Sequence, residues 1–147
     1  MQLSPVRSHA LTVDVEDYFH VASYDATVSP QRWAELPQRV ARNTEILLQQ
    51  FDKHNAKATF FILGWVAERN PELVRQIHAA GHEVASHGYA HAKASVQTAA
   101  EFLQDVSRAK AILEDIDLTD HVEDDVNSLR IAFACDESVK TGEVVRL

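Results

Sequence analysis

Lys57-Ala-Thr-Phe-Phe-Ile-Leu63 is a nearly continuous apolar run, rich in aromatic and β-branched residues and closed by Gly64. A run of this length and composition predicts a strand covered on both faces, as in a parallel sheet. A parallel sheet needs crossover segments between its strands, so the flanking sequence should hold helices.

It does. Upstream, residues 38–54 place Val40, Leu47, Leu48 and Phe51 on one stripe at helical spacing. Before that helix, a loop of aromatic and polar residues runs from Tyr18 to about Pro37. Ahead of the loop, residues 10–16 alternate: Leu11, Val13 and Val15 against Thr12, Asp14 and Glu16. That period of two predicts a strand with Asp14 and Glu16 on the same face. Downstream of the central run, Asn70-Pro71 reads as a helix start with Asn as N-cap and Pro at the first position. Leu73, Val74 and Ile77 supply its apolar face, and Gly81 its stop. Residues 83–87 form a third short strand. Thr98 and Glu101 make a capping box that opens a last helix, along which Phe102, Val106, Ala109 and Leu113 align. Strands alternating with helices predict parallel pairing through right-handed crossovers, with reactive side chains at the carboxyl ends of the strands.

The 147 residues suit one domain, and 46% hydrophobic content allows a packed core. A single cysteine, Cys135, excludes an internal disulfide. The opening MQLSPVRSH is not followed by an apolar segment of signal-peptide type, and no stretch approaches the ~18 apolar residues of a membrane span. A cytoplasmic location is therefore expected, with peripheral attachment to the inner membrane left open. The net charge of −8 is concentrated at one end: residues 1–113 carry 11 Lys/Arg and 12 Asp/Glu, residues 114–147 carry 3 and 10. No basic patch supports nucleic-acid binding. The composition changes sharply near Glu114, dividing the chain into residues 1–113 and an acidic tail, 114–147.

Two clusters fall at predicted strand ends. One is Asp14-Val-Glu-Asp17, the other Ser86-His-Gly-Tyr-Ala-His91. His87 and His91, four apart, can both reach one ion from a helical turn or a tight loop. Two imidazoles and a carboxylate form a common facial set for zinc or another borderline divalent metal, leaving positions for water and substrate. A His-x3-His pair alone is often two unconnected surface residues; its coincidence with an acidic cluster at a second strand end marks a site. His9, His20, His54 and His78 read as solvated, and His82 as structural.

The segments Leu11-Thr-Val-Asp-Val-Glu-Asp-Tyr-Phe19, Arg42-Asn-Thr-Glu45, Lys57-Ala-Thr-Phe-Phe-Ile-Leu-Gly-Trp65 and Ala80-Gly-His-Glu-Val-Ala-Ser-His-Gly-Tyr-Ala-His91 together resemble the polysaccharide deacetylases of the NodB-homology type, carbohydrate esterase family 4. The resemblance is strongest to the branch found with exosortase and exopolysaccharide systems, and it spans about Ala10 to Glu114. It implies a partial (β/α) barrel cut after about three β/α units, a divalent metal, most simply zinc, and an acetylated polysaccharide or oligosaccharide as partner. It implies that Asp14 is the catalytic base and that His87 and His91 bind the metal. For the third ligand it offers Glu16, two residues after the base and on the same strand face, or Asp17 if the strand ends at Val15. Tyr18, Phe19 and Trp65 read first as barrel-end packing, with sugar stacking as the alternative.

Family members continue with an Arg-x-Pro motif, an Asp/Trp motif and a Leu/His motif. None of these stands in this chain, where no proline follows Pro71. A full barrel takes roughly 200–250 residues. The expectation is thus a deacetylase impaired by the missing arginine and late histidine, with an open barrel edge inviting self-association. Beside it stand a non-enzymatic metal- or sugar-binding fragment and an allantoinase-like hydrolase of another C–N bond. In the tail, His121 reads as a surface residue among acids and Leu129–Cys135 as one more strand.

Overall fold

The computed structural model describes residues 10–24, 27–116 and 118. Three strands, β1 (Thr12–Val15), β2 (Thr59–Ile62) and β3 (Glu83–Ser86), form one sheet in the order β1-β2-β3. Both pairings are parallel, with Thr12 beside Thr59 and Val15 beside Ile62, then Thr59 beside Glu83 and Ile62 beside Ser86. The apolar run therefore occupies the central strand of the three.

The helices are α1 (Val40–Lys53), α2 (Gly64–Arg69), α3 (Pro71–Ala79) and α4 (Ala99–Asp115). Val15, Phe60 and Ile62 share one sheet face and are buried with Val40 of α1 and Leu73, Val74 and Ile77 of α3. Each fully buried aromatic or aliphatic side chain contributes roughly 1.5–3 kcal/mol. The opposite face is different. Asp14 is exposed, and Thr59 and Phe61 are only half-buried. So β2 is fully covered on its Phe60–Ile62 side and partly open on the other, where a strand buried on both faces was expected. That open face is the one carrying Asp14.

Three local details depart from the sequence reading. The stripe of α1 that faces inward is Val40, Thr44, Leu48 and Phe51, while Leu47 is 38% exposed. Gly64 does not simply end β2; it begins α2, a short helix whose six residues are too few to show a period. Asn70 precedes Pro71 of α3, but its side chain donates to Val66 O of α2 instead of capping α3. The capping box at Thr98 and Glu101 forms as expected, with Thr98 N donating to Glu101 Oε2 at 2.8 Å and Glu101 N to Thr98 Oγ1 at 3.3 Å. Glu114 and Asp115 close α4. The expected strand at Leu129–Cys135 and His121 lie outside the described residues.

Candidate metal centre

Glu16 follows the last residue of β1, and His87 follows the last residue of β3. His87 N donates to Ile62 O at 3.0 Å, which continues the ladder one residue beyond the strand. The chain then turns through Gly88 (φ 73°) to His91 (φ 54°), both in the left-handed region. Histidine is among the few residues that enter this region with some frequency.

The loop between them is fixed by the start of α2. Gly64 N donates to Gly88 O at 2.8 Å and Trp65 N to Tyr89 O at 3.1 Å. A Cβ at position 64 would stand 2.9 Å from the Tyr89 ring and 3.0 Å from Ala109 Cα. Only glycine lets α2, the loop and α4 approach this closely.

The result is a convergence of three donors. The ring centroids of His87 and His91 lie 5.0 Å apart, and His91 Nε2 is 3.5 Å from Glu16 Oε2. One ligand atom from each of Glu16, His87 and His91 can be chosen so that all lie within 4.8 Å of one another. Glu16 Oε2, His87 Nε2 and His91 Nδ1 are also buried without a hydrogen-bond partner. Buried polar atoms are normally paired, so an orphan on each of three residues whose ligand atoms converge fits a bound cation; on His91 the orphan is Nδ1, while Nε2 is the atom 3.5 Å from Glu16 Oε2. The mixture of nitrogen and oxygen suits zinc or a similar ion.

Asp14 lies in β1, two residues before Glu16, and is exposed. Its β2 neighbour in the register is Phe61, whose ring centroid is 6.5 Å from that of His87. Asp17 is not part of the group, although β1 does end at Val15. Its carboxylate is 3% exposed and accepts from Arg39 N at 2.8 Å and Val40 N at 3.1 Å. It caps the N-terminus of α1 from a distance, where the helix dipole favours a negative charge. Asp17→Ala would leave two amides without an acceptor, and we expect a loss of about 2–3 kcal/mol in denaturant unfolding of the metal-free protein. A loss under about 0.5 kcal/mol would show that the cap is dispensable.

Sequence reading missed His20. It is 1% exposed, not solvated, and sits against Phe19, Trp33 and Trp65 with ring centroids 4.5, 4.5 and 5.0 Å away. Asp17 N donates to its Nδ1 at 2.8 Å, which leaves the proton of the neutral ring on Nε2. Burial pushes its pKa down to about 4; Asp17 opposes this, while His91 and Arg69 add to it. The unfolded chain takes up a proton near pH 6.5 and the folded ring only near 4. Stability present above pH 6.5 is therefore lost as pH falls through that window. In chelator, the wild type should lose up to about 3 kcal/mol more than His20→Asn between pH 7 and 4. Parallel pH profiles for the two proteins would overturn this account.

Phe19 and Trp65 belong to the same aromatic cluster and are buried, which is the packing role expected of them. Tyr18 is partly exposed, with Arg39 over its ring at 5.0 Å. His82 is buried and accepts from Ala58 N, a structural role as expected.

The sequence pattern of the polysaccharide deacetylase family matches residues 23–135. The chain belongs to the polysaccharide deacetylase family. The match takes in His87 and His91, while Asp14 and Glu16 stand just ahead of it. Among curated deacetylases, a peptidoglycan-N-acetylglucosamine deacetylase of Bacillus cereus is 34% identical over 70 residues, covering 48% of this chain and 26% of that protein. A chitooligosaccharide deacetylase of Bradyrhizobium is 42% identical over 48 residues, 33% of this chain and 22% of that one. A crystal structure from Mycobacterium smegmatis, described as a polysaccharide deacetylase, superposes with a TM-score of 0.58 at 29% identity. It covers 73% of this chain and 38% of its own length. This deacetylase-family chain thus spans about a quarter to two fifths of these relatives, and its β/α order is that of their (β/α) fold. Among the described residues, no helix is long and apolar enough to cross a membrane.

Proposed function

We propose that this chain holds a divalent metal, zinc by the chemistry of its donors, at Glu16, His87 and His91, and removes acetyl groups from N-acetylated polysaccharide. The observation that carries the reading is the convergence of ligand atoms from Glu16 after β1 and from His87 and His91 in the turn after β3, each residue also holding a buried polar atom without a hydrogen-bond partner. The substrate class follows the named activities of the relatives, which act on peptidoglycan N-acetylglucosamine and chitooligosaccharide. An exopolysaccharide of similar chemistry is the substrate that the resemblance to the exosortase-associated branch favours.

An ion bound there supplies Lewis-acid activation of a water and of the amide carbonyl. Asp14 is the base that takes the proton from the attacking water onto its carboxylate. Its position supports this: it is exposed on the strand face that leads to Glu16. Departure of the amine needs a proton donor. Neither an Arg-x-Pro nor a Leu/His motif stands in the sequence to orient the base or supply that proton. We therefore read the 147-residue chain, acting alone, as a slow catalyst. The same gap favours a second reading, a metal- or sugar-binding unit without turnover.

The test is release of free amine from N-acetylglucosamine oligomers by the zinc-loaded chain, with and without chelator. Slow, chelator-sensitive release supports the hydrolase reading. Binding of the oligomers with no release at any enzyme concentration supports the second.

A further inference from the structure

The loop carrying both histidines is gripped from a second side by α4. Asp105, half-buried in that helix, accepts from Tyr89 N through Oδ2 at 2.8 Å and from Ala90 N through Oδ1 at 3.1 Å. These two amides lie between His87 and His91. The residues that bracket them, Gly88 and His91, are the two left-handed positions of the loop. A Cβ on Gly88 would stand 2.7 Å from Asp105 Oδ2, so the carboxylate touches the turn itself. Tyr89 Oη in turn donates to Glu68 Oε2 of α2 at 2.9 Å, and Arg108 of α4 lies 3.5 Å over the Tyr89 ring.

We propose that Asp105 is a positioning residue for the metal centre, its carboxylate setting the turn that brings His87 and His91 onto one ion. The inference rests on the reading of Glu16, His87 and His91 as ligands. A carboxylate with one oxygen on each of two successive amides defines the orientation of both peptide planes. Charge-assisted bonds of this kind are stronger than neutral ones. The loop's carbonyls are already held by Gly64 N and Trp65 N, so Asp105 completes the grip by holding its amides. Supporting groups one step removed from a metal typically change its affinity by about 10–100-fold when lost.

The sequence carried a signal for this residue. Asp105 lies three positions after Phe102 and four before Ala109, on the apolar stripe of α4. An acid there has no reason to face inward unless something inside needs it.

Zinc affinity of the wild type and of Asp105→Asn would be measured by competition with a chromophoric chelator, and unfolding of both in excess chelator. Asparagine keeps the shape but offers a single acceptor and sets an N–H against the second amide. The expected result is a 10–100-fold weaker zinc affinity of the folded variant, with an altered visible spectrum of the cobalt-substituted protein. A purely structural role would lower the metal-free stability and leave affinity and spectrum unchanged, and affinity within twofold of wild type overturns the proposal. If Asp105→Asn does not fold, Asp105→Ser removes the carboxylate with a side chain too short to reach both amides. It should weaken zinc by a similar factor, and wild-type affinity there also overturns the proposal. A wild type that takes up no zinc fails the ligand set itself, and the positioning role with it.

Discussion

Replacing His87 and His91 together by alanine will leave the chain unable to retain a divalent ion. The zinc-loaded wild type should keep about one ion per chain after mild dialysis, and the double variant essentially none. The reason is the donor count. Of the three residues whose ligand atoms converge within 4.8 Å, only Glu16 remains, and one carboxylate oxygen does not hold zinc against water. Both imidazoles are half-buried and carry buried nitrogens without a hydrogen-bond partner, so their removal breaks none of the backbone hydrogen bonds that hold β3 or the loop, and alanine at the left-handed position 91 costs about 1 kcal/mol. Circular dichroism of the metal-free proteins should therefore agree. Any bound ion also stabilises the fold by mass action, about 2.7 kcal/mol at a free concentration of 100 times Kd. That gain should be present in the wild type and absent from the variant. Equal metal content in the two proteins would end the assignment.

The second large effect concerns Asp14. Deacetylation by the 147-residue chain should be very weak, and Asp14→Asn should reduce what there is by about 10²–10⁴-fold, the usual range for a general base. Asparagine keeps the side chain's size on the open strand face and removes its capacity to accept a proton. Zinc content should stay at the wild-type level, since Asp14 is not among the converging donors. This separates loss of the base from loss of the ion. Rapid turnover by the wild-type chain would show that the missing arginine and late histidine are not needed. A mixture of Asp14→Asn and His121→Ala chains regaining activity would then point to a proton donor from a second copy.

The sheet and most of the candidate site, as a cluster of Glu16, His87 and His91, were legible because they depend on local periodicity. Alternation through residues 10–16 put Asp14 and Glu16 on one face, and Glu16 is the acid that meets the histidines. The apolar run at 57–63 announced a strand of a parallel sheet, and that is where β2 lies, between β1 and β3. What escaped depends on distant partners. The acids Glu16 and Asp17 are adjacent in sequence, and only the turn after β1 decides that one meets His91 and the other the backbone of α1. His20 looks like any polar residue after Tyr18 and Phe19; its burial comes from Trp33 and Trp65, far along the chain. The open side of β2 could not be read from its composition, because Phe61 is as apolar as Phe60.

The left-handed backbone at His91 has a consequence for heredity. Among residues with side chains, Asn, Asp and His enter that conformation with least difficulty, and His91 has φ 54°. The codons of histidine differ from those of asparagine and aspartate by a single base. The substitutions nearest in mutational distance at this position are thus also the ones the turn accepts. A lineage could exchange the imidazole for a short amide or acid while the loop, α2 and α4 kept their places. At this position the polypeptide's shape and its capacity to hold an ion are inherited separately, and the first can outlast the second.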